Sequence, residues 1–405
     1  MGEVQDTVTD GRDTRERDTF DESAEEVRQL MASAELEEDA ENLEQRGAAL
    51  LGNKRRIALL AAAVGLMIVA IYFIFPKVVG VTNAFDRLDE ATWYWVIAAV
   101  GFNAASFIGY TSLFQGVIAG RDPDDEMQDR IDLGVAFQIT MAGFVATIIF
   151  SAAGAGGVAL TYWAVRKAGM ERRRAACRMV AFMALLYTVY LASLVIFGTL
   201  LYSGAVSGEA PLAGTVIPAA LSLGALVIIG LVALIPEDFE RRLARMGRLR
   251  RVQKLATGPA TIATGVRTAI AYLRHPWRSA NAVAGALGWW AGNIGILWSC
   301  FHAFGVDVPL AVVIQGYFLG MVANLLPSPA AGVGTVDAGL IGAFVLFGIP
   351  AVTVFPAILV FRLIGFWLPI PVGIWAYVKL RHTVHRWSEE DEGATIQSEV
   401  TAKAT

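Results

Sequence analysis

The stretch Leu326-Pro327-Ser328-Pro329-Ala330-Ala331-Gly332-Val333-Gly334-Thr335-Val336-Asp337 decides how this chain is read. It sets two prolines, two glycines and a carboxylate inside an apolar part of the sequence. Proline has no amide donor and glycine favours non-helical angles, so one unbroken helix cannot run through it. Backbone left open inside a bilayer must be buried in protein or line a cavity. An earlier stretch, Ser151-Ala152-Ala153-Gly154-Ala155-Gly156-Gly157, carries a related Ala-Gly-x-Gly core. Each stretch leads into a short apolar helix that reaches another glycine, Gly169 in one case and Gly348 in the other. Two related breaks in one chain suggest an internal repeat.

Working outward, the chain has 405 residues, 55% of them hydrophobic, and a mean hydropathy of +0.52. Several apolar runs approach twenty residues, the length that crosses a bilayer as a helix. The expected class is an all-α polytopic membrane protein, with about eight membrane helices plus two short broken or re-entrant helices. Spans are expected at 57–75, 93–119, 133–150, 179–202, 213–235, 284–304, 310–326 and 351–378, with short pieces at 154–166 and 333–347. The first span follows a long polar segment and has no small-residue cleavage site after it, so it reads as an anchor.

Residues 1–52 hold sixteen Asp and Glu against five Arg, a net of −11. Such a segment lacks the apolar content to fold and is expected to be a disordered acidic tail. The whole chain carries −4, so the remainder holds about +7, a balance suited to anionic lipid. Positive charge orients membrane helices. Lys54, Arg55 and Arg56 precede the first span, Arg166, Lys167, Arg172, Arg173, Arg174 and Arg178 cluster in a second connection, and ten Lys or Arg lie between Glu237 and Arg278. These groups, with Lys379, Arg381 and Arg386, are expected on the cytoplasmic side of the cell membrane, as are both termini. The connection 121–132 holds six acids and two arginines and is placed inside as well.

With that orientation the first broken element is entered from the cytoplasm and the second from outside, which makes the two halves inverted. The first short piece, at about 12 residues, is ~18 Å of helix against a core of ~30 Å, which favours re-entrant hairpins. Repeat 1 is expected over 53–203 and repeat 2 over 204–380. A basic amphipathic insert at 236–283 lies in the second, and a short cytoplasmic tail follows at 381–405. Inverted repeats whose broken helices meet near mid-membrane are a plan shared by many secondary transporters.

Asp337 stands in the first turn of the second short helix, where free amides and the helix dipole favour negative charge. It reads equally as a helix cap or as a functional carboxylate, since ionisable groups at membrane depth are costly and mark functional sites. Arg362 lies midway along the 351–378 span, flanked by Phe361, Leu363 and Phe366. It is a candidate partner for Asp337 or a receptor for phosphate, to which the guanidinium offers a fork of donors. A structural ion pair is the alternative. Backbone amides at Gly332 and Gly334, set up by Pro327 and Pro329, would suit an anion at a helix start. Gly154 and Gly156 fit close helix packing better. Among polar residues inside spans (Asn103, Ser106, Gln115, Gln138, Asn293, Gln315 and Asn324), most read as interhelical hydrogen bonds. Asn324, beside the break, is the one assigned to the site.

Other chemistry finds little support. No His or acid cluster has metal-ligand spacing, and no cofactor is implied. Cys177 and Cys300 fall in different environments and form no redox motif. Residues 239–255 set Phe239, Leu243, Met246, Leu249, Val252 and Leu255 on one face with Arg241, Arg242, Arg245, Arg248 and Arg251 around it, an amphipathic pattern expected to lie on the inner leaflet. A basic connection beside a span is ordinary topology, so nucleic acid is not an expected partner.

The motif Leu326-Pro327-x-Pro329-Ala330-Ala331-Gly332-Val333-Gly334-x-Val336-Asp337-Ala338, followed by Phe347-Gly348, Phe361-Arg362-Leu363 and Leu368-Pro369, resembles the integral-membrane region of the lysylphosphatidylglycerol synthase family and its stand-alone flippase-like relatives. The resemblance covers roughly residues 57–380. In that family the motif usually ends in glutamate, for which Asp337 stands here. The first break departs further, with Ser151-Ala152 before its glycines and Val158-Ala159-Leu160 after them. Full synthases add a soluble aminoacyl-transfer domain, which is not expected here because 27 residues follow the last expected span.

What the resemblance implies is movement of a polar-headgroup lipid, anionic or aminoacylated, across the cytoplasmic membrane, without enzymatic catalysis. A lipid-linked headgroup fits the same expectation. Two other classes stand beside it. One is a non-catalytic subunit of a cell-envelope assembly, docking an envelope-synthesis protein through the acidic tail. The other is a membrane glycosyltransferase using Asp86, Asp89 and Glu90, which short outer connections disfavour.

Overall fold

The computed structural model of the chain describes residues 91–120, 130–149, 155–234, 250–275, 277, 279–325, 332 and 334–404. The expected span 57–75, the acidic tail, and residues 150–154, 235–249 and 326–331 lie outside the described residues. All described residues fall within one unit, Asn53–Thr405.

Among the described residues every regular element is helical. In chain order they are α1 (Trp93–Ile118), α2 (Leu133–Ile149), α3 (Ala155–Lys167), α4 (Arg172–Tyr202), α5 (Val216–Ala233), α6 (Arg250–Arg274), α7 (Ala280–Ala303), α8 (Leu310–Met321), α9 (Thr335–Leu346), α10 (Ala351–Arg362) and α11 (Pro369–Ala404). A tighter 3-10 turn, Val322–Leu325, continues α8, and a wider π turn, Leu363–Trp367, joins α10 to α11. Among the described residues, four helical stretches are long and apolar enough to cross a membrane: Trp93–Ile118, Arg172–Tyr202, Val216–Ala233 and Ala351–Glu390. On α5, Ile217, Leu221, Val227, Ile228 and Leu231 are all more than half exposed, as befits a helix whose outer face meets lipid.

The centre is the seam between α1 and α7, which lie against each other along their length. Glycines make it possible. A Cβ on Gly109 would stand 2.7 Å from the Trp289 amide nitrogen, and one on Gly292 2.5 Å from the Ser106 Cβ. Gly285 and Gly295 meet Leu113 and Phe102 in the same way. Because these small residues recur at spacings of three and four on α7, the two backbones approach where larger side chains would hold them apart.

Helices α2 and α3 fold back on each other, as do α8 and α9. In the first hairpin, Gly143 faces Thr161 and Gly157 faces both Thr147 and the Gly143 carbonyl. In the second, Gly316 faces Phe344, Gly320 faces Leu340, and Gly339 faces Ala323 and the Gly320 carbonyl. Both are therefore antiparallel. Each leans on a helix from the other half of the sequence. Helix α2 packs on α11, where Gly373 leaves room for the Met141 carbonyl and the Thr383 hydroxyl lies 3.1 Å from the Gln138 side-chain oxygen. Helix α8 packs on α4, where Tyr190 Oη donates to the Phe318 carbonyl at 2.5 Å.

Several expected boundaries move. Helix α4 begins at Arg172, seven residues before the expected span, because its arginines extend the helix beyond the apolar run. The expected span 351–378 falls within one apolar helical stretch, Ala351–Glu390, which carries the π turn inside it. The expected short tail at 381–405 continues α11 as helix to Ala404, with Leu380, Val384 and Trp387 buried at helical spacing. In the basic insert, residues 239–249 lie outside the described residues, and the helix that is described, α6, packs through Ala263, Gly265, Val266 and Ala269 with Gly265 against Val180 of α4.

Candidate functional site

The second break places its chemistry at the start of α9. Gly334, with φ +89°, turns the chain into the helix, and Gly332, with φ +93°, precedes it. Both angles lie where glycine is favoured over any residue with a Cβ. Asp337 is the third helical residue, and its Oδ2 accepts the Gly334 amide at 2.9 Å, capping one of the free N–H groups. The other oxygen, Oδ1, accepts Arg362 Nε at 2.5 Å. The helix-cap role and the ion pair are thus both present, one on each carboxylate oxygen.

Arg362 comes from the last turn of α10. Beyond the Asp337 contact, its Nη2 donates to the Gly332 carbonyl at 2.9 Å, and the Thr335 hydroxyl donates to that same carbonyl at 3.3 Å. The Phe366 ring lies 5.1 Å from the guanidinium carbon, within range of cation–π attraction. Asp337 and Arg362 are 6% and 7% exposed, so the pair is held out of solvent beside the Gly332–Gly334 turn. A lone arginine at the centre of a bilayer costs about 3 kcal/mol on insertion scales. Pairing offsets part of that cost and leaves the remainder as a charge-bearing site that a purely apolar core would not contain.

Asp337, Arg362, Gly332 and Gly334 are therefore brought together. Asn324 lies in the 3-10 turn, exposed, with its side-chain oxygen 3.0 Å from where a Cβ on Gly332 would stand. Pro327, Pro329 and Gly154 lie outside the described residues. Gly156 is buried in the first turn of α3 in the other hairpin, where its neighbour Gly157 makes the close approach. Sequence reasoning missed Thr335 and named Phe366 as a flank of Arg362 without giving it a role at the site. Phe366 follows Arg362 at i+4, a spacing that brings two helical side chains together, and Thr335 adjoins the Gly-x-Gly. Asn103 was read as an interhelical hydrogen bond, and it donates from α1 to the Ile364 carbonyl within the π turn.

The family model described as "Lysylphosphatidylglycerol synthase TM region" matches residues 58–373. The chain belongs to this family and is a multi-pass membrane protein. Two curated proteins of Methanothermobacter thermautotrophicus, each named "UPF0104 membrane protein", are similar over shorter stretches. One is 32% identical over 77 residues, covering 19% of this chain and 23% of the relative. The other is 33% identical over 93 residues, covering 23% and 26%. The chain thus spans about a quarter of the length of the curated relatives it matches. No solved structure matches.

Proposed function

We propose that this protein moves a lipid with a polar headgroup between the leaflets of the cell membrane, acting as a translocase and not as an enzyme. The observation that carries the reading is the buried Asp337–Arg362 pair closed over the glycine turn at the start of α9. In the resting arrangement Asp337 and the Gly332 carbonyl hold the guanidinium. A headgroup phosphate takes their place by the same fork geometry, since arginine binds carboxylate and phosphate alike. Asp337 is then released to a cationic headgroup where the lipid carries one, which suits anionic and aminoacylated phospholipids. Exchange of partners matters because a buried charge left alone costs several kcal/mol.

The reciprocal docking of each hairpin on a helix of the other half supports an inverted repeat in which the two hairpins alternate in access. Cytoplasmic placement of both termini follows from the clustered Lys and Arg. The test is leaflet exchange of fluorescent anionic and aminoacylated phospholipids in liposomes holding the purified protein, with Asp337→Ala and Arg362→Leu beside it. Exchange by the wild type that both variants lose is the expected result. No exchange with these lipids or with a polyprenyl-linked headgroup would overturn the reading and favour a partner subunit of an envelope assembly.

A further inference from the structure

The aim of Arg362 depends on a helix that is locally too wide. Between α10 and α11 the Leu368 amide donates to the Leu363 carbonyl at 3.0 Å, five residues back instead of four. The next donor in that pattern would belong to residue 369 and would serve the Ile364 carbonyl. Residue 369 is proline, which has no N–H. The Ile364 carbonyl is thereby deprived of its helical partner, and burial would make that loss costly. The missing donor arrives from another helix: Asn103 Nδ2 of α1 donates to the Ile364 carbonyl. Asn103 is itself 5% exposed and sits one turn from Ser106, whose hydroxyl donates to the Asn103 carbonyl at 2.8 Å.

The position of this turn gives it a role. Upstream, α10 carries Arg362 into the second hairpin. Downstream, α11 is fixed to the first hairpin through Gly373, Ala376 and Thr383. One residue added to a turn rotates everything on one side by about 100° relative to the other. Fraying of the π turn, which frees the Leu368 amide from the Leu363 carbonyl, would let α10 rotate relative to α11 and swing Arg362 off Asp337 while α11 stayed in place. The same turn supplies Phe366, which lies over the guanidinium. Widened turns of this kind are frequent at functional sites.

We propose that Asn103 is a positioning residue for the Asp337–Arg362 site: by supplying the donor that Pro369 withholds from the Ile364 carbonyl, it holds the widened turn that aims Arg362 at the second hairpin. Its lipid readout rests on the translocase reading, while its backbone readout does not. The two are measured together on the full chain in liposomes, as amide hydrogen exchange at Leu368 and leaflet exchange of fluorescent anionic phospholipid. Asn103→Leu is expected to speed Leu368 exchange about tenfold, the scale of one lost buried hydrogen bond, and to slow leaflet exchange by a similar factor. Adding Pro369→Ala to Asn103→Leu returns an N–H to the chain beside the Ile364 carbonyl and is expected to restore both. If Asn103→Leu alone fails to fold, the double variant is expected to fold. Leu368 exchange unaltered by Asn103→Leu, or a double variant no better than the single, overturns the proposal. A wild type that moves no lipid, with Leu368 protection still dependent on Asn103, overturns the translocase reading alone.

Discussion

The hairpin α2–α3 and the hairpin α8–α9 close in the same manner, glycine against opposing backbone, and each rests on a helix of the other half of the chain. What they carry differs. At its crossing the first presents hydroxyls, Thr147 and Thr161, with the Thr147 hydroxyl donating to its own helix at the Gly143 carbonyl. The second presents a carboxylate paired with an arginine from a third helix and two left-handed glycines beside it. The comparison teaches that the scaffold is indifferent to charge. Close packing by small residues builds either hairpin, and the ion pair is an addition that the packing does not require.

The largest effect that would sharpen or break this contrast comes from the pair itself. Arg362→Leu or Asp337→Leu alone leaves a buried charge without its partner and is expected to cost about 3–5 kcal/mol of stability, together with leaflet exchange. The double Asp337→Leu/Arg362→Leu should regain most of the stability and none of the exchange, as read by thermal unfolding and the liposome assay. Exchange retained by the double variant would reduce the pair to structure. Next in size, Gly157→Val and Gly339→Val each force a branched side chain into a backbone crossing and should cost roughly 1–3 kcal/mol. Exchange per folded molecule is expected to fall only for Gly339→Val, since that crossing adjoins the charged site. Equal losses would mean that both hairpins act in transport.

Smaller still, Gly334→Ala places a Cβ in a left-handed conformation and should cost about 1–2 kcal/mol, with exchange slowed because the Asp337 cap is disturbed. An unchanged melting temperature would show that the turn relaxes freely. The smallest effect is expected from Thr161→Val, no more than about 1 kcal/mol and no change in exchange. A loss of exchange as deep as that of Arg362→Leu would move part of the chemistry into the first hairpin.

Much of the helix plan could be read in the residues because apolar runs and the glycine breaks mark their own limits. The expected pieces 93–119, 133–150 and 154–166 fall within a residue or so of α1, α2 and α3. Asp337 and Arg362 stood out because charge inside an apolar stretch is rare. The π turn did not, although Pro369 and Pro371 signalled trouble for a continuous helix. Its remedy is a side chain some 260 positions away, and no local pattern names that partner. The α1–α7 seam escaped notice for a related reason. Glycines 285, 288, 292 and 295 form a visible stripe on α7, but the surface they meet is set only once α1 is beside it.

That seam also bears on how the chain is made. Its two helices are separated in the sequence by the whole first hairpin, α4, α5 and α6. Helix α1 must therefore wait with its glycine face uncovered until α7 has been synthesised, and only then can the long-range core close. The Asp337–Arg362 pair, encoded later still, is joined after the centre has been laid down. A nascent chain halted before α7 would hold apolar helices without their shared axis, the kind of intermediate on which membrane quality control acts.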